Sequence, residues 1–166
     1  MRIAAVGDVH CKKTSTGAFQ GLFAAMAAAA DVIVLCGDLT DLGLAEEARV
    51  LAKELSASRT IPVVAVLGNH DYESGETDQV KGILTDAGVT LLDGDALEID
   101  GVGFAGAKGL GGGFGQRALQ PWGEDIMEKA PTASRRTLTG SPPRQRSARA
   151  LAISSEGRPS SHTYWA

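Results

Sequence analysis

Three apolar runs punctuate the first half of the chain, and each ends in a short polar cluster. Arg2–Val6 leads into Gly7-Asp8-Val9-His10. Asp31–Cys36 leads into Gly37-Asp38-Leu39-Thr40-Asp41, and Ile61–Leu67 into Gly68-Asn69-His70-Asp71. Continuous Val/Ile/Leu runs mark parallel strands covered on both faces, whereas a strand with one wet face alternates. Between them the spacing predicts helices. One runs from a cap at Ser15 or Thr16 to about Ala30, with Phe19, Leu22, Phe23 and Met26 on one face. Leu44–Ala57 is rich in Ala, Leu, Glu, Lys and Arg and reads as a second helix. Glu76–Ala87 reads as a third, with Val80, Ile83 and Leu84 inward and Gly88 as its stop.

Strand alternating with helix predicts an α/β domain with a parallel sheet and right-handed crossovers. The pattern then changes. Val89–Leu92, Ala96–Ile99 and Val102–Ala105 read as short strands joined by tight turns at Asp93-Gly94-Asp95 and Asp100-Gly101. A glycine-rich loop, residues 106–115, follows, and Trp122–Ala130 predicts the start of another helix. From Pro131 the composition shifts. Residues 131–166 hold four of the six prolines, six arginines and seven serines, with Glu156 as their one acid. No sustained periodicity organises them, so residues 1–130 are expected to form the domain and 131–166 a disordered Arg/Ser/Pro-rich tail.

Composition narrows the function classes. At 166 residues and 43% hydrophobic content, one domain with a real core is expected. A net charge of -4 gives no general attraction to nucleic acid or an anionic membrane. The arginines of the tail lack interleaved aromatics, so nucleic-acid binding is not indicated. Ala18–Ala30 is too short to span a bilayer and contains Gln20. Two cysteines, Cys11 and Cys36, make no disulfide framework, and a reducing cytoplasm is the expected location. Cys11 reads as a bystander in a ligand-rich loop and Cys36 as a small core residue.

The clusters carry the candidate chemistry. Loops at the carboxyl ends of parallel strands are where α/β proteins bind ligands. Asp8 and His10, two residues apart in an extended segment, share a face and can converge on one metal ion. Asp38 arrives from the neighbouring strand with two oxygens, enough to bridge two ions. Asn69 offers a neutral amide oxygen from the third. His70, next to it, points elsewhere and is free to act on substrate. Mixed oxygen and imidazole donors suit Mn, Fe or Zn, with Mg a weaker candidate.

These clusters, Gly7-Asp8-x-His10, Gly37-Asp38-x-x-Asp41 and Gly68-Asn69-His70-Asp71, resemble the calcineurin-like metallophosphoesterase family. The resemblance covers residues 1 to about 115. It implies a two-metal phosphoesterase built as an α/β/β/α sandwich, acting on a phosphorylated small molecule or a phosphodiester. By resemblance Asp8 and His10 hold the first ion, Asp38 bridges both, and Asn69 holds the second. His70 protonates the leaving oxygen or stabilises the transition state. Asp71 orients His70 and Asp41 supports the second loop.

The chain also departs from the family pattern. Three more histidines are expected in a second half, two of them in a Gly-His-x-His turn. This chain has three in all, His10, His70 and His162, and no Gly-His-x-His. His162, within Ser161-His162-Thr163, reads as solvated. A sandwich truncated after the first sheet and part of the second is therefore expected, with self-association through exposed sheet as a hazard. The tail reads as a shifted frame or a premature end of the gene. The rival functional reading is an inactive remnant or pseudoenzyme that binds at most one metal ion weakly. A dinucleotide site fares worse: Gly101-x-Gly103-x-x-Gly106 lies within a predicted hairpin and opens no helix.

Overall fold

A computed structural model of the chain describes residues 1–58, 60–108 and 150–154. Its first sheet has four parallel strands in the order β1 (Ile3–Val6), β2 (Val32–Cys36), β3 (Val63–Val66) and β4 (Val89–Leu91). Helices α1 (Gln20–Ala29), α2 (Ala45–Glu54) and α3 (Thr77–Asp86) connect them in turn. The central strands are buried on both faces, as their unbroken apolar runs require. Ile33, Leu35, Val63 and Ala65 face a core shared with Phe23 of α1, Leu51 of α2 and Val80 and Leu84 of α3. The alternate residues Val32, Val34, Val64 and Val66 face a second core with Leu92 and Phe104.

Phe104 belongs to a second sheet, β5 (Asp95–Ile99), β6 (Val102–Ala107) and β7 (Ala150–Ser154). The described layers are thus helices, parallel sheet and second sheet. The sheets touch closely at Gly106, where a Cβ would stand 2.6 Å from both Leu92 Cβ and Val66 Cγ1. β5 and β6 form the expected hairpin, pairing Ile99 with Val102 across Asp100-Gly101. Both turn residues take positive φ, 49° and 78°, the geometry that makes Asp-Gly a hairpin turn.

The structure corrects four expectations. Residues 89–91 do not begin a meander. They join the first sheet, parallel to β3, and the turn at 93–95 carries the chain to the second sheet. Strand type was readable there, but the partner was not, because a short apolar run is compatible with either. Residues 150–154, expected in the disordered tail, form β7 parallel to β6. The rest of the tail, the predicted helix at 122–130 and most of the glycine-rich loop lie outside the described residues. The second helix ends at Glu54 and tightens into a 3₁₀ turn, Leu55–Ser58.

The first helix begins at Gln20, later than a Ser15 or Thr16 cap implies. Ser15 instead closes a turn with Lys12, its Oγ accepting the Lys12 N–H at 3.0 Å. The helix is capped from a distance. The Glu54 carboxylate accepts the N–H groups of Gly17 (2.7 Å), Phe19 (2.8 Å) and Gln20 (3.1 Å). Burial works to raise the Glu54 carboxyl, but these three donors outweigh it and hold it below the usual range. A depressed carboxyl contributes stability that is present above the unfolded value, about 4.3, and is lost as pH falls through the folded one. Glu54→Ala strands three donors, and a loss of about 2–3 kcal/mol is expected by urea denaturation at neutral pH. Glu54→Gln should remove the part of the acid-side decline in stability that Glu54 contributes. An unchanged acid limb in the glutamine variant would contradict this account of Glu54.

Candidate metal centre

The polar clusters follow β1, β2 and β3 directly, so all three open at the carboxyl edge of the parallel sheet. Adjacent loops are stitched by backbone bonds. Asp8 N–H donates to Gly37 C=O (3.2 Å), His10 N–H to Asp38 C=O (2.9 Å) and Cys11 N–H to Leu39 C=O (3.0 Å). The pairing continues past the strand ends and fixes His10 beside Asp38.

His10, Asp38 and His70 each bring a ligand atom to one place, all within 4.8 Å of one another. His10 Nε2 stands 4.0 Å from Asp38 Oδ2. The two imidazoles meet edge to face with centroids 4.5 Å apart. Asp38 Oδ1 accepts the His70 N–H at 3.1 Å, which ties the third loop to the second. Gly68 permits this approach, since a Cβ there would overlap Asp38 Oδ1 and the Asp38 backbone nitrogen.

His70 Nδ1 lies 2.7 Å from the Asp41 carbonyl oxygen. A carbonyl can only accept, so Nδ1 carries the proton in this bond. Glu73 Oε2 is 3.6 Å from the same nitrogen. Asp41 is more central than a loop support. Its carboxylate spans His10 Nδ1 (3.5 Å) and Lys12 Nζ (3.6 Å) while its carbonyl holds His70.

Asp71, expected to orient His70, is engaged with the second loop. It is fully buried, and its carboxylate accepts Leu39 N–H, Thr40 N–H, Thr40 O–H and Gly68 N–H at 2.6 to 3.1 Å. Burial pushes the Asp71 carboxyl up, and the four donors pull against it. It fastens the second and third loops together, while the Asp41 carbonyl accepts from His70 Nδ1. Sequence distance hid this: the bonds run from residue 71 to residues 39 and 40. Cys11 is buried, and burial and then the charges of Glu54 and Glu47 push its thiol up to about 12. It is a packed bystander, as its sequence context implied.

Asp8 lies at the same edge but is exposed, and its carboxylate is outside the three-residue group. Asn69 stands just before the short 3₁₀ turn His70–Tyr72, at the mouth of the third loop. The donor set fits a divalent ion: two imidazoles and a carboxylate, close together at a loop edge. The backbone agrees. Four non-glycine residues among those described take positive φ, and three are Asp8 (53°), His10 (45°) and Asp38 (48°). Left-handed backbone is uncommon outside glycine, is best tolerated by residues such as Asp and His, and collects at functional sites.

A calcineurin-like phosphoesterase family model matches residues 1–125, the greater part of the chain. The chain belongs to the calcineurin-like phosphoesterase family. No curated protein matches it. The described sheets and helices are consistent with the fold of that family, and membership points to metal-dependent hydrolysis of phosphoesters. No helix among the described residues is long and apolar enough to cross a membrane.

Proposed function

We propose that this calcineurin-like phosphoesterase hydrolyses a phosphomonoester or phosphodiester at the carboxyl edge of its parallel sheet, within a unit spanning residues 1–130. The convergence of His10, Asp38 and His70 carries the reading. Asp8 and His10 would hold one divalent ion, Asn69 a second, and Asp38 both. Ions there would supply Lewis acidity, generating a nucleophile from water near neutral pH and offsetting charge on the phosphoryl oxygens. The chain's own residues do the rest. Asp38 fixes the spacing of the loops through the His70 N–H. Asp71, out of reach of substrate, locks them together. His70 has its Nδ1 committed to the Asp41 carbonyl, and its Nε2 would face the substrate. As imidazolium it gives the Nε2 proton to the leaving oxygen and returns to the tautomer that Asp41 holds.

A second reading is favoured by the compactness of the group, two imidazoles and one carboxylate within 4.8 Å, which suits a single ion with His70 as a ligand. Metal analysis and assay on a generic phosphodiester with added manganese separate the two. Under the first reading the protein binds two ions per chain, and His70→Asn keeps its metal while kcat falls about 100-fold or more. Loss of metal with the imidazole makes His70 a ligand. A protein that binds one loose ion or none and turns over nothing is the inactive remnant.

A further inference from the structure

The carbonyl that orients His70 is one end of a peptide unit whose other end is also held. Asp41 C=O and Leu42 N–H belong to the same planar group and, in a trans peptide, point in opposite directions. His70 Nδ1 occupies the carbonyl end at 2.7 Å. Glu47 Oε2 occupies the amide end, accepting Leu42 N–H at 2.9 Å and Leu44 N–H at 3.3 Å. Glu47 sits in the first turn of α2, is 2% exposed, and is not one of the residues the family motifs single out. A buried carboxylate is retained only where its oxygens are well used.

We infer that Glu47 is a positioning residue for His70, acting through the single peptide plane between Asp41 and Leu42. The plane is rigid, so fixing its N–H fixes the direction of its C=O. A carboxylate on the N–H end also polarises the peptide and makes the carbonyl a stronger acceptor, because hydrogen bonds in a chain reinforce one another. The result is a carboxylate, a peptide and an imidazole in series, with the Nδ1–H tautomer selected and Nε2 presented to the site. Second-layer groups of this kind set the orientation of working histidines elsewhere. The loop is braced for the purpose. Ser74 Oγ donates to Gly43 C=O at 2.5 Å, and a side chain at Gly43 would meet the His70 and Asp71 carbonyl oxygens at 2.8 and 2.9 Å.

The inference rests on the proposed use of His70, but its test does not require activity. The tautomer of His70 is read by ¹⁵N NMR of the folded full-length protein. The wild type should show Nδ1–H, and Glu47→Ala a mixture. Glu47→Gln, which keeps an acceptor oxygen for Leu42 N–H, should restore Nδ1–H. The control is Glu76→Ala. Glu76 accepts Ala45 N–H at 2.8 Å and so caps the same helix without touching the Asp41–Leu42 plane. It should lower stability and leave the tautomer alone. Where turnover is present, Glu47→Ala should lower kcat about tenfold with KM within about twofold, the range for second-layer partners. An unchanged His70 tautomer in folded Glu47→Ala overturns the inference, as does an equal effect from Glu76→Ala. If Glu47→Ala does not fold, Glu47→Gln decides it: retention of Nδ1–H supports the relay and its loss refutes it. A wild type with the correct tautomer but no turnover would refute the proposed hydrolysis and leave this inference standing.

Discussion

Asp38→Asn should silence the protein without unfolding it. Asparagine keeps the Oδ1 acceptor that receives the His70 N–H at 3.1 Å, so the link between the second and third loops survives. What is lost is charge. Asp38 is the one carboxylate in the converging group, and an amide oxygen is a far weaker partner for a divalent ion. Affinity for manganese should fall at least about 100-fold, and metal-dependent hydrolysis should fall with it, beyond the usual effect of removing an outer-shell partner. Circular dichroism and the unfolding midpoint should stay near wild type, as expected for a change that strands no buried donor. Metal titration by calorimetry checks the first part and phosphodiester turnover the second. Wild-type affinity in the asparagine variant would remove Asp38 from the centre.

Gly68→Ala should do the opposite and damage the fold as well as the site. A Cβ at residue 68 would overlap Asp38 Oδ1 and its backbone nitrogen. Neither side can retreat. Gly68 N–H is held by Asp71 Oδ2 at 2.8 Å, and Asp38 is pinned by the His10 and His70 backbone bonds. The objection to a side chain here is steric, since Gly68 is not among the residues of positive φ. Overpacking a rigid buried contact costs about 3 kcal/mol, enough to lower the unfolding midpoint by several degrees. Metal binding should weaken in parallel, because relief requires Asp38 to move. A midpoint within a degree of wild type would mean that the loops are much softer than their bonds imply.

The sequence made β1, β2 and β3 legible because a strand buried on both faces leaves an unbroken apolar run, and the polar residues that follow must then share one sheet edge. That reasoning assigned Asp8, His10, Asp38, Asn69 and His70 to one sheet edge, and the structure brings ligand atoms of His10, Asp38 and His70 together there. It did not find what holds them there. Glu54 caps a helix that begins 34 residues earlier, and Asp71 closes a loop 31 to 32 residues away. Such bonds leave no local signature, because a carboxylate in a helix or turn looks like any solvated acid until its distant donors are known. β4 failed for a related reason: pairing is a property of two segments, and only one was in view.

The left-handed backbone at Asp8, His10 and Asp38 bears on the choice between a working enzyme and a relic. Glycine would adopt those angles freely, whereas Asp and His adopt them at a modest cost. A chain released from selection for chemistry would gain stability from glycine at an exposed position such as Asp8, and drift offers that exchange readily. Decay should therefore relax this edge of the sheet early. Here Asp8, His10 and Asp38 still carry their carboxylates and imidazole on that left-handed backbone.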